Sequence, residues 1–199
     1  MVKIPEIEYQ FSGPITECTL EGFSYPRVSP ILHPTDEQSD YLSKLDDLWK
    51  IHGVLELEEI AKITGLDWEE ERITIYVTKY ASPISRPVII PQTKNPLIAH
   101  HISIHELIHQ HIGRGRNADR LIKGWDWIDK DFKDESFITR NHIPLHAIHT
   151  SLYLKIFGES ELAWNFKYDK KHPEYNRSWK IVQSLGHEKV LEEFFPTII

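Results

Sequence analysis

A single cysteine, Cys18, stands in 199 residues, so no internal disulfide can form and a thiolate metal cluster is not expected. By default that usage fits a reducing compartment, and the cytoplasm is the expected location. Long hydrophobic runs are also missing. No stretch approaches the twenty or so apolar residues that span a bilayer, so no membrane partner is expected. Lys3 to Phe11 carries no apolar core of the kind a signal peptide needs. Basic charge is in deficit: Lys and Arg total 23 against 30 Asp and Glu, for a net charge of −7. That balance argues against nucleic acid or an anionic membrane as a general partner. Internal repeats and low-complexity segments are absent as well. What remains is an ordinary globular balance, 40% hydrophobic and 27% charged, with length enough for one domain over 1–199 and its own core.

Prolines at 5, 14, 26, 30 and 34 deny long helices to residues 1–34, which read as an extended leading segment with short strands. Thr35 opens a helix through the capping-box pattern TDEQ. Tyr41, Leu42, Leu45, Leu48 and Trp49 then form its apolar stripe, and Gly53 ends it. LELEEIAKITG reads as a short second helix. RITIYVTKY and RPVIIP read as strands, the first β-branched and aromatic, the second bounded by prolines. KNPLIAHHISIHELIHQHIG follows, with Asn95 as N-cap, Pro96 at the first helical position and Gly113 past the last turn. Downstream, NADRLIKGWDWIDKDF reads as a helix broken at Gly124. NHIPLHAIHTSLYLKIFG reads as one that starts at Asn141 or His142 with Pro144 in its first turn. HPEYNRSWKIVQSLG and EKVLEEFF complete the chain. The expected class is α+β, a small sheet in the N-terminal half packed on a mostly helical C-terminal half.

Five histidines and one glutamate fall within residues 100–113, and His105-Glu106-Leu107-Ile108-His109 reads H-E-x-x-H. On a helix, residues i and i+4 share a face, so two imidazoles can grip one Zn²⁺ at about 2.0–2.1 Å. Glu106 points to a neighbouring sector, where it can take a proton from an activated water without being a ligand. His101 lies one turn earlier on the same face. A turn rises about 5.4 Å, so it lines the site rather than sharing the ion. His100 and His111 point elsewhere and are expected to be solvated.

This arrangement resembles the zincin metallopeptidases over the strand at 86–91, the motif helix and a later ligand helix, under half of the chain. The resemblance implies that His105 and His109 bind zinc, that Glu106 is the general base, and that a third ligand comes from further along. The familiar third-ligand patterns are not present. The metzincin pattern wants Gly at 112 and His at 115, where this chain has Ile112 and Gly115, and no N-E-x-x-x-D stretch follows.

Three protein ligands and an open position are the catalytic norm for zinc. His142, His146 and His149, spaced i, i+4, i+7, make one helical face that a helix packed antiparallel to the motif helix would aim at the metal. His146 is central and is the favoured third ligand. His142, at the expected cap, comes next, then His149, Glu159 and Glu161. Asp126, Asp129 and Asp131 are candidate acceptors for the ligands' other ring nitrogens. Tyr153, Tyr168, Tyr175 and Arg177 are candidates to stabilise an oxyanion. The strand at 88–90, if it is an edge, would pair with an extended peptide substrate. Cys18 would be either a small buried hydrophobe or a thiolate able to cap the metal in a latent form. The reading as a whole is a zinc-dependent peptidase. The alternatives are a zinc-binding regulatory or interaction protein without hydrolysis, a non-peptide metallohydrolase, or an interaction protein without metal.

Overall fold

The computed structural model describes residues 3–13, 16–20, 23–27, 31, 33–79, 81–113 and 115–195. The chain divides into two compact units, one of residues 3–55 and 68–110, the other of 56–67 and 111–199.

The first unit holds the sheet. β1 (Glu6–Phe11), β4 (Arg72–Thr78), β5 (Ile84–Ser85) and β6 (Val88–Pro91) form four strands in the order β1-β4-β6-β5. β1 and β6 both run parallel to β4, and β5 pairs antiparallel with β6. Strand alternation explains β4: Ile73, Ile75 and Val77 turn inward and are buried, while Arg72 faces water. Register sets Tyr9 beside Ile75 and Ile75 beside Val88. Burying each such side chain contributes about 1.5–3 kcal/mol. β2 (Thr16–Leu20) and β3 (Phe23–Arg27) form a separate antiparallel pair, in which Cys18 stands opposite Tyr25. The side chain of Cys18 lies outside the described residues, and with it the idea of a metal-capping thiolate.

Thr35 caps α1 (Asp36–Leu48) as the sequence predicts, with both hydrogen bonds of the capping box present. The helix does not stop cleanly before Gly53. It widens into a π-helical turn, Trp49–Gly53. Tyr41 and Leu45 bury the inner face, and Trp49 meets Tyr9 edge-on at 6.3 Å. β6 is not an edge, contrary to the expectation for residues 88–90. The two-residue β5, unrecognised in the sequence because it is so short, pairs Ile84 with Ile89 and Ser85 with Val88.

The second unit is helical: most of α2 (Val54–Thr64), then α4 (Gly115–Arg120), α5 (Ile122–Asp131), α6 (Phe137–Ile156), α7 (Glu159–Asp169), α8 (Pro173–Leu185) and α9 (His187–Phe194). α6 is its axis and packs on α7, α8 and α9. Two boundaries differ from expectation. The break before α5 falls at Leu121, and Gly124 is inside the helix, where a Cβ would strike the carbonyl oxygen of Phe194. A glycine there permits close helix approach rather than ending a helix. α6 starts at Phe137, five residues before His142. Ser136 is its cap, accepting a hydrogen bond from the Thr139 N–H at 3.1 Å. Pro144 is therefore in the helix interior, not its first turn. α7 was not expected as a helix. It begins after Gly158, whose φ of 84° favours glycine.

Candidate metal centre

α3 (Pro96–Ile112) follows β6 and carries the H-E-x-x-H motif. Asn95 caps it, its Oδ1 accepting from the Leu97 N–H at 3.1 Å, and Pro96 sits where a missing N–H costs nothing. Mid-helix placement gives His105 and His109 the same face. Their ring centroids are 5.0 Å apart with planes at 70°. His105 is 8% exposed and His109 is half-buried. Glu106, between them in sequence, is 6% exposed, and burial pushes its carboxyl up to about 8. A nearby cation acts in the opposite direction and favours the ionised carboxylate.

The third histidine in the group is His142. One ring nitrogen from each of His105, His109 and His142 lies within 4.8 Å of the other two. These three residues would hold an ion such as zinc, which takes imidazole nitrogens as ligands. His142 is already oriented for this. Its Nδ1 is 2.7 Å from the carbonyl oxygen of Ile138, one turn back. A carbonyl can only accept, so Nδ1 carries the proton and Nε2 is the nitrogen with the lone pair. Burial also lowers the His142 pKa to about 4, which keeps the ring neutral and able to donate that pair. Three imidazoles, one with its tautomer pinned, fit a divalent ion of zinc's character.

His146, the favoured third ligand, is not in that group. It is fully buried, its ring stacks on Trp179 at 4.2 Å and 14°, and its Nδ1 is 2.6 Å from Ser178 Oγ. Its Nε2 faces Asp169 Oδ2 at 3.6 Å, and that oxygen also accepts from Trp179 Nε1 at 3.0 Å. His149 is buried beside Tyr153 and Trp179. Glu159 and Glu161 sit in the first turn of α7 and are not grouped with the histidines.

The other sequence candidates are placed as follows. Tyr153 is fully buried, hydrogen-bonded to Asn165 and close to Glu56, with its ionisation pushed far up by burial. It is a core residue. Arg177 is committed to Glu135 through Nε at 2.9 Å. Tyr168 stacks on Trp164 at 5.8 Å. Asp129 accepts from Arg140 at 2.6 Å and Asp131 from Trp127 at 2.9 Å. His100 and His111, expected to be solvated, are 1% and 3% exposed. α3 buries most of its circumference, and the positions of His100 and His111 fall on the buried part while Ile98, Ile102 and His109 stay partly exposed. His111 meets Thr64 Oγ1 at 2.9 Å, and burial lowers its pKa to about 3.

Sequence reasoning missed the particular part of Tyr175, whose ring lies 4.1 Å from that of His142 at 30°. A signal existed: Tyr175, Ser178 and Trp179 fall at i, i+3, i+4 on α8, one helical face. All three touch the histidine face of α6.

Compared with protein-family models, curated proteins and solved structures, the chain matches none of them.

Proposed function

We propose that the chain is a zinc-dependent metallopeptidase in which His105, His109 and His142 hold the ion and Glu106 is the general base. The observation that carries this reading is the third histidine: a nitrogen of His142, from a helix distant in sequence, lies within 4.8 Å of the H-E-x-x-H pair. When bound, the ion supplies Lewis acidity, acidifying water and polarising a carbonyl. The protein's part is proton management. Glu106 accepts the proton of the attacking water as the C–O bond forms, then delivers it to the leaving amine as the C–N bond breaks. Burial of Glu106 keeps bulk water from competing for that proton. The substrate class is a peptide or protein. Among the described residues no helix is long and apolar enough to cross a membrane, and a cytoplasmic location is part of the proposal.

A second reading, a metal-holding protein without hydrolysis, draws on one observation: burial alone keeps the Glu106 carboxyl protonated at neutral pH. One experiment separates the two. Purified protein is assayed for bound metal and for cleavage of an unstructured protein, with and without chelator, alongside Glu106→Gln. Stoichiometric zinc, chelator-sensitive cleavage and a Glu106→Gln form that keeps zinc but not cleavage support the peptidase. Zinc without cleavage supports the second reading, and no retained metal removes both.

A further inference from the structure

Three histidines at i, i+4 and i+7 on α6 are all buried, yet only His142 joins the motif pair. The other side of the arrangement is α8. Ser178 Oγ donates to the Tyr175 carbonyl oxygen at 2.9 Å, which uses its one proton. The same Oγ lies 2.6 Å from His146 Nδ1, which donates to it when the Ser178 proton is on the Tyr175 carbonyl. A continuous chain of hydrogen bonds runs from His146 through Ser178 to the backbone of Tyr175, and the stack of His146 on Trp179 holds the same turn of α8. The Tyr175 ring so placed covers one face of His142.

A hydrogen bond from Nδ1 to the Ile138 carbonyl pins one atom of the His142 ring. The ring is also tethered through Cβ on a buried turn of α6, and the Tyr175 ring lies against its face at 4.1 Å and 30°, so a tilt that moved Nε2 would press on that ring. We propose that Tyr175 is a positioning residue for the third metal ligand. Its ring fixes the plane of His142, and the His146–Ser178 bridge fixes Tyr175. This rests on the reading of His142 as a ligand. It gives His146 a role in the site that needs no bond to the ion. The metal then binds without first freezing a rotor, which raises its affinity.

The test uses the full chain. Zn²⁺ affinity is measured by competition with a chromophoric chelator, and the Co²⁺-substituted protein is examined by visible absorption, a spectrum sensitive to ligand geometry. Wild type, His142→Ala, Tyr175→Leu, Tyr175→Met and Tyr175→Phe are compared. Tyr175→Phe keeps the flat ring and should match wild type in both readouts. Leu and Met remove it and should weaken zinc binding about tenfold or more, with an altered cobalt spectrum. Should Tyr175→Leu fail to fold, the Met and Phe variants carry the comparison. If Phe weakens binding as much as Met, or if Leu and Met bind like wild type, the positioning role is overturned. The reading beneath it fails separately: it falls if His142→Ala binds zinc as wild type does.

Discussion

An imidazole has two nitrogens and one proton to place between them, so its partners decide what it can do. His142 spends its proton on the Ile138 carbonyl, so Nε2 is its accepting nitrogen. His146, one turn on, shares a hydrogen bond with Ser178 and lies flat against Trp179. Identical residues on one helix face thus have different chemistry. Structural zinc sites bind with about 10–16 kcal/mol shared among about four ligands, or about 3 kcal/mol each. Replacing His142 by alanine should accordingly lower zinc affinity by about a hundredfold or more, measured by chelator competition. On the proposed peptidase reading, replacing Glu106 by glutamine should leave affinity within a few fold and slow peptide hydrolysis by about 10²–10⁴-fold in kcat. Retained hydrolysis would remove Glu106 from the mechanism.

At the scale of elements, caps and close approaches decide what each helix presents. Ser136 starts α6 five residues before His142 and so puts His142 well within the helix, where its backbone is held. Asn141 and Pro144 look like a start signal in isolation, which is why the sequence favours His146 over a supposedly frayed His142. The rival cap at Ser136 won because its hydroxyl meets the Thr139 N–H. Gly124 shows the same limit. Alanine would normally gain about 1 kcal/mol in a helix interior. Here its methyl group would strike the Phe194 backbone, and Gly124→Ala should instead destabilise the protein by about 1–2 kcal/mol in urea unfolding. Thr35→Ala should cost about 1 kcal/mol in the same measurement, through loss of the capping box. The capping box, the Asn95-Pro96 start of α3 and the β-branched strand β4 were legible because each depends on neighbours in sequence. β5 and α7 were not, one for being two residues long and the other for its mixed, weakly patterned face.

For the molecule as a whole, buried histidines couple folding to acidity. Burial, with smaller repulsion from His100 and His52, lowers the His101 pKa from its usual 6.5 to about 3. The folded form therefore stays neutral where the unfolded chain takes up a proton. Stability from His101 is full above about pH 6.5 and falls with acid, by about 1.4 kcal/mol per pH unit, until the folded pKa is reached. Asp169 has the opposite sign: burial raises it to about 6, and its contribution is lost as pH rises through that value. Comparing wild type with His101→Leu isolates the first effect. The difference in unfolding free energy should shift in the variant's favour by about 1.4 kcal/mol for each unit from pH 6 to pH 4. A difference constant with pH would show that His101 titrates alike in both states.

The α+β class, the helix that bears the motif and the pairing of His105 with His109 follow from helical period, caps and strand alternation, which act over a few residues. The grouping of a ring nitrogen of His142 with the motif pair, the burial of His100 and His111, and the stacking of Tyr175 on His142 do not. Those depend on which surfaces meet after the chain has folded back over dozens of residues. Spacing within one helix says which side chains share a face, but only packing says what that face touches.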